Sequence, residues 1–88
     1  MASLRKILDT VLSGRSDANL RFNDLCRLLE NLGFSKRING SHHIHFRQGI
    51  VEIINIQALP GGKAKPYQVR QIRQIIVEYR LAIPERPA

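Results

Sequence analysis

Asn39-Gly40-Ser41-His42-His43-Ile44-His45-Phe46-Arg47-Gln48-Gly49-Ile50-Val51-Glu52-Ile53-Ile54-Asn55-Ile56 is the stretch on which the fold turns. Asn39-Gly40 is a turn signal, and Gln48-Gly49 splits the two apolar segments that follow it, which reads as a β-hairpin. Phe34 to Ile38, although weakened by Lys36-Arg37, is a short strand candidate ahead of the first turn. The spacing therefore predicts a meander of three antiparallel strands at about 34–38, 42–47 and 50–57, the last a β-branched run.

Working outward, both flanks read as helices. Leu4, Ile7, Leu8, Val11 and Leu12 form a helical stripe over residues 3–13, with Ser3 as N-cap and Gly14 as stop. A loop rich in turn residues follows at 14–20. Phe22, Leu25, Cys26, Leu29 and Leu32 make a second stripe, predicting a helix at about 23–32 with Asn23 as N-cap and Gly33 as the C-terminal glycine. After the strands, Pro60-Gly61-Gly62 ends the meander. Pro66 opens a last helix from its first position, with Val69, Ile72, Ile75, Ile76 and Tyr79 as the buried stripe. Pro84 is expected to close the ordered part and to leave 84–88 as a loose tail. Without the first helix the order is α-β-β-β-α: an α+β fold in which a three-stranded antiparallel sheet carries two helices on one face and leaves the other free.

Eighty-eight residues make a single domain with a modest core. No apolar run approaches the ~20 residues of a membrane span. The N-terminus is amphipathic, broken by Asp9 and Thr10, unlike a secretory signal. A cytoplasmic protein with no membrane partner is the expectation. Lone Cys26 cannot form an internal disulfide and reads as an inert core thiol. Fourteen Lys and Arg against seven Asp and Glu give a net charge of +7 and a pI near 10.6, which favours a polyanionic partner such as nucleic acid. An acidic protein partner would suit the same charge, and so would plain solubility.

The three histidines fall within four positions. Side chains alternate along a strand, so His42, Ile44 and Phe46 share one side and His43, His45 and Arg47 the other. Ile44 and Phe46 are expected to face the core, which would turn His43 and His45 outward with Arg47. His42, where the strand begins, need not obey the alternation. An imidazole titrates near neutrality, so it can take a proton from a ribose 2′-hydroxyl and return one to a leaving group. Backbone N–H groups of the Gly40-Ser41 turn can hold a phosphate oxygen nearby. Such histidines also occur as plain surface or hydrogen-bonded residues, and His43 with His45 could share a metal ion, although no third ligand lies close by.

Lys63 and Lys65 stand just ahead of the last helix, with Arg70 and Arg73 off its buried stripe. A helix start with added lysines makes a phosphate site, while an ordinary solvated loop would look the same. Arg21, Arg27, Lys36 and Arg37 form a further basic surface able to follow an RNA backbone, or simply to be solvated. Glycine-rich nucleotide loops, Ser-His-Asp sets, Walker-type lysines and paired carboxylates are missing from the sequence, so two-metal nuclease chemistry is not expected.

Leu25-Cys26-Arg27-Leu28-Leu29-Glu30-Asn31-Leu32-Gly33-Phe34, Gly40-Ser41-His42-His43-Ile44 and Lys63-Ala64-Lys65-Pro66-Tyr67-Gln68-Val69-Arg70 together resemble the HicA toxin family of bacterial type II toxin–antitoxin systems, over about residues 22–81. The resemblance implies a fold similar to the double-stranded-RNA-binding domain. It implies a metal-independent mRNA endoribonuclease that needs no cofactor and inhibits translation, and a HicB-type antitoxin that covers its active site. The family's histidine after the Gly-Ser turn matches His42, and the variant one place later matches His43. Gly40, Ser41, Lys63, Lys65 and Arg70 are then the expected RNA contacts. The helix at 3–13 is an addition to the family's usual start, which together with the apolar 50–57 segment leaves the oligomeric state open, a free monomer included. A non-catalytic RNA-binding module of the same fold is the alternative, and a partner-only protein a third.

Overall fold

A computed structural model describes residues 3–83, so the expected tail at 84–88 lies outside the described residues. Helix α1 spans Leu4–Ser13, a single 3₁₀ turn covers Asp17–Asn19, and α2 spans Phe22–Asn31. Strands β1 (Ser35–Asn39), β2 (His42–Phe46) and β3 (Ile54–Ile56) follow, and α3 runs from Pro66 to Tyr79. The strands form one antiparallel sheet in the order β1-β2-β3. The predicted α-β-β-β-α core is therefore present, with α1 added ahead of it.

Local chemistry sets most helix ends. Ser3 Oγ accepts from the Lys6 N–H at the start of α1, and Gly14 closes that helix with φ 70°. α2 begins one residue earlier than expected: Arg21 holds its N-cap position without a side-chain bond, so Asn23 is not the cap. At its end, the N–H groups of Gly33 and Phe34 reach the carbonyls of Glu30 and Leu29, a Schellman turn that needs the positive φ of Gly33 (94°). α3 opens on Pro66 at its first turn, as expected.

The core is one cluster. Ile7, Leu8 and Val11 from α1 join Leu25, Leu28 and Leu29 from α2, Val69, Ile72 and Ile75 from α3, and Ile54 and Ile56 from β3. Full burial of each such side chain contributes about 1.5–3 kcal/mol. α1 is held by more than packing. Arg73 on α3 donates Nη1–H to the Val11 carbonyl at 3.0 Å, and both Nη atoms reach the Asp17 carboxylate, at 2.9 and 3.1 Å. One guanidinium thus satisfies the end of α1 and fixes the turn after it.

Two sheet expectations are corrected. Ile50–Ile53 does not join the ladder, and β3 is only Ile54–Ile56. Glu52 accepts a hydrogen bond from Tyr79 Oη at 2.7 Å and Ile50 packs on the core, which carries this segment toward the end of α3 instead. The faces of β2 are also opposite to the expectation. His45 is fully buried, His43 is half-buried against α2, and Phe46 is 43% exposed. The alternation holds, but Ile44 and Phe46 lie on the open face with His42. Ile54 and Ile56 already fill the core beside β2, and the half-buried ring of His43 meets Phe22 edge-on at 4.9 Å, which draws the odd-numbered side inward.

Because Arg73 ties α1 to the rest of the chain through charged hydrogen bonds, Arg73→Ala should lower stability by about 2 kcal/mol in urea unfolding. Amide exchange should accelerate first in residues 4–13. Unchanged protection across α1 would show that apolar packing alone retains it.

Candidate functional site

The histidine strand starts at a tight turn. Gly40 takes φ 61°, and Asn39 pairs directly with His42 across it. His42 is exposed on the open face, where its Nδ1 lies 3.1 Å from Asn55 Oδ1 on β3. A neutral ring whose Nδ1–H donates to this amide oxygen carries its lone pair on Nε2.

His43 occupies a different setting. Besides its edge contact with Phe22, its Nδ1 sits 3.9 Å from Cys26 Sγ. Burial pushes the Cys26 thiol up to about 11, so this sulfur stays protonated and inert, in line with the sequence reading. His45, deeper still, has neither ring nitrogen hydrogen-bonded to a protein group, and burial lowers its pKa below the imidazole range. The structure therefore divides the three histidines: His42 is open, His43 is half-packed and His45 is core. No group of three or more His, Cys, Asp or Glu side chains among the described residues is arranged to hold a metal ion.

A polar chain joins the histidine turn to the start of α3. Gln57 Nε2 donates to Ser41 Oγ at 2.8 Å, and Lys65 Nζ donates to Gln57 Oε1 at 3.3 Å. Gln68, buried in the first turns of α3, donates Nε2–H to the Asn55 carbonyl at 3.2 Å and accepts from the Gln57 N–H at 3.3 Å. Gln68 thus clamps the end of β3 and fixes Asn55 and Gln57 beside the turn. Among the expected contact residues, Ser41, His42 and Lys65 are brought together. Lys63 is not: its Nζ reaches Asn19 Oδ1 at 3.3 Å, and its backbone bridges to Arg21. Arg70 is exposed on α3 with no bond to this chain among the described residues.

The sequence reading missed Asn55, Gln57 and Gln68. The alternation Ile54-Asn55-Ile56-Gln57 was the available signal, since two amides on one side of a strand with buried isoleucines must share the open face. The basic surface also divides. Arg37 pairs with Ile44 and lies on the open face, whereas Lys36 pairs with His45 and turns to the helix side, where it meets Glu30 at 3.3 Å.

With this geometry in place, comparison with known proteins gives the class. The chain matches the family described as the HicA toxin of bacterial toxin–antitoxin over residues 22–77, and it belongs to that family. It is thus the toxin member of a toxin–antitoxin system, with an antitoxin implied as its partner, and its α+β fold is of the double-stranded-RNA-binding type. No curated protein and no solved structure gives a significant match. The matched span begins with α2, and α1 lies ahead of it. No described helix is long and apolar enough to cross a membrane.

The buried imidazole gives a testable pH dependence. His45 has a lower pKa folded than unfolded, so below about pH 6.5 the unfolded chain binds more protons and stability falls. Between about pH 7.5 and about pH 5.5, urea unfolding should show stability falling with pH, by no more than the one-proton limit of about 1.4 kcal/mol per pH unit. In His45→Leu this slope should flatten. An unaltered slope in that variant would assign the effect to another group.

Proposed function

We propose that this toxin is a metal-independent endoribonuclease that cleaves mRNA in the cytoplasm, with His42 as its general base and translation as the process it stops. The observation that carries this reading is the exposed His42 ring beside the Gly40-Ser41 turn, with its Nδ1 3.1 Å from Asn55 Oδ1. A base needs a lone pair within reach of the proton it removes and a partner that fixes its ring. Asn55 supplies that second part without adding charge.

In this scheme Nε2 takes the proton of a ribose 2′-hydroxyl. The 2′-oxygen attacks the adjacent phosphorus, the P–O5′ bond breaks, and the leaving 5′-oxygen takes a proton from the His42 imidazolium or from water, giving a 2′,3′-cyclic phosphate and a 5′-hydroxyl end. Lys65 and the N–H groups at Gly40 and Ser41 steady the developing phosphorane charge in this scheme. Gln57 links Lys65 to Ser41, so one amide sets both. Lys63 and Arg70, further along the lysine loop and α3, serve the strand's outlying phosphates. His43, packed on Phe22 and Cys26, is the weaker candidate for the base. A HicB-type antitoxin that covers His42 would silence the activity.

Purified protein should cut labelled mRNA in EDTA and leave 2′,3′-cyclic phosphate ends. His42→Ala should lower the rate at least ~100-fold, in line with the contribution of general acid–base catalysis, while His43→Ala should cost far less. Full cleavage by His42→Ala would refute the assignment. Binding without any cleavage by the wild type would leave an RNA-binding module.

A further inference from the structure

The open face of the sheet presents more than a base. From the β2 register, Ser35, Arg37 and Asn39 lie opposite Phe46, Ile44 and His42, and Asn55 lies opposite Ile44 on the other side. His42, Ile44 and Phe46 therefore stand in a row, flanked by one arginine and three amide or hydroxyl side chains. Ile53, one residue before β3, continues the same side and is 64% exposed. Among the described residues no carboxylate lies on this face of the strands. Glu30 and Glu52 instead bond Lys36 and Tyr79, with Glu30 on α2 and Glu52 on the same alternation as buried Ile54 and Ile56.

We propose that this face is a single-strand subsite, on which RNA lies along β2 and a base a few nucleotides from the cut stacks on Phe46. The inference rests on His42 as the cleaving residue and adds to it which surface reads the substrate and in what form. Charge complementarity favours the polyanion. The chain carries +7, and the face holds Arg37 with no acidic residue among its strand neighbours in the described residues. The apolar members favour bases, because every base offers a π-face to an aromatic or aliphatic platform, and an open sheet with such side chains is suited to unstacked strands. From His42 to Phe46 the strand advances about 13 Å at about 3.4 Å per residue, room for a few nucleotides. Arg37 lies midway, within reach of the intervening phosphate or of a base plane. A duplex cannot present its bases this way, so the subsite selects single strands.

The chain has no tryptophan, so Phe46→Trp creates a lone fluorescent reporter. In a His42→Ala background the probe is a short single-stranded 2′-O-methyl oligoribonucleotide, which cannot be cut, and its binding is followed separately by anisotropy of a labelled copy. Emission at position 46 should be quenched by the single strand and unaffected by the same sequence as a duplex. A Val77→Trp control on α3, at a position 63% exposed, should stay unquenched. Phe46→Ala should bind the single strand about tenfold or more weakly. Undiminished binding by Phe46→Ala overturns the proposal, as does a silent reporter while anisotropy reports binding. A reporter that answers only to an antitoxin and not to the oligonucleotide would do the same. Where wild type cleaves RNA but the reporter is silent, only the subsite fails. Where no RNA is bound or cut at all, the nuclease reading fails with it.

Discussion

The arrangement depends on one side chain pointing inward. His45 is fully buried, and because neighbouring strand residues alternate, its burial sends Ile44 and Phe46 to the open face and leaves His42 there with them. An imidazole with neither nitrogen bonded to the protein is a costly core residue, on the order of 1–3 kcal/mol for each unsatisfied group. Its register partner Ile54 and the next inward residue of β3, Ile56, are fully buried as well. The outcome is a strand whose inner side carries two histidines and whose outer side carries two apolar residues beside a third. Apolar side chains in a row beside a reactive group, Phe46 exposed and Ile44 half-buried, suit a ligand-reading face, and the proposed single-strand subsite follows from that inversion.

The site is built from the sheet and from one end of α3. Gln68 joins the two: it is buried in the helix and bonds the backbone on both sides of Ile56, so Asn55 and Gln57 are presented to the open side in fixed register. Asn55 then orients His42, and Gln57 spans Ser41 and Lys65. Remote from this, Arg73 attaches α1 to the α2–α3 layer. That helix lies ahead of the span matched by the HicA family and enlarges the core on the side away from the open face.

Much of this was legible in the sequence. The helical stripes, Ser3, Gly14, Gly33 and Pro66 placed three helices to within a residue or so, because capping and periodicity are local effects. The turn at Gly40 was legible as well, whereas His42 was expected to be reachable only as a strand-start residue and is exposed because its whole side of β2 is the open face. The facing of β2 was not. Ile44 and Phe46 are more apolar than His43 and His45, so hydropathy points them inward; the contrary result depends on Phe22, Cys26, Ile54 and Ile56, which come from distant parts of the chain. The length of β3 was likewise hidden, since the Glu52–Tyr79 bond that draws Ile50–Ile53 away is a tertiary contact. Polar bridges such as Gln57 to Lys65 have no sequence signature beyond an amide on the open side of a strand.

The face used by the substrate is the central claim, and chemical-shift perturbation tests it most directly. Addition of a single-stranded 2′-O-methyl oligoribonucleotide to isotopically labelled protein should move the resonances of Arg37, His42, Ile44, Phe46 and Asn55, with those of His45 little changed. Perturbations gathered instead on the outer surfaces of α2 and α3, with the open sheet face silent, would contradict it.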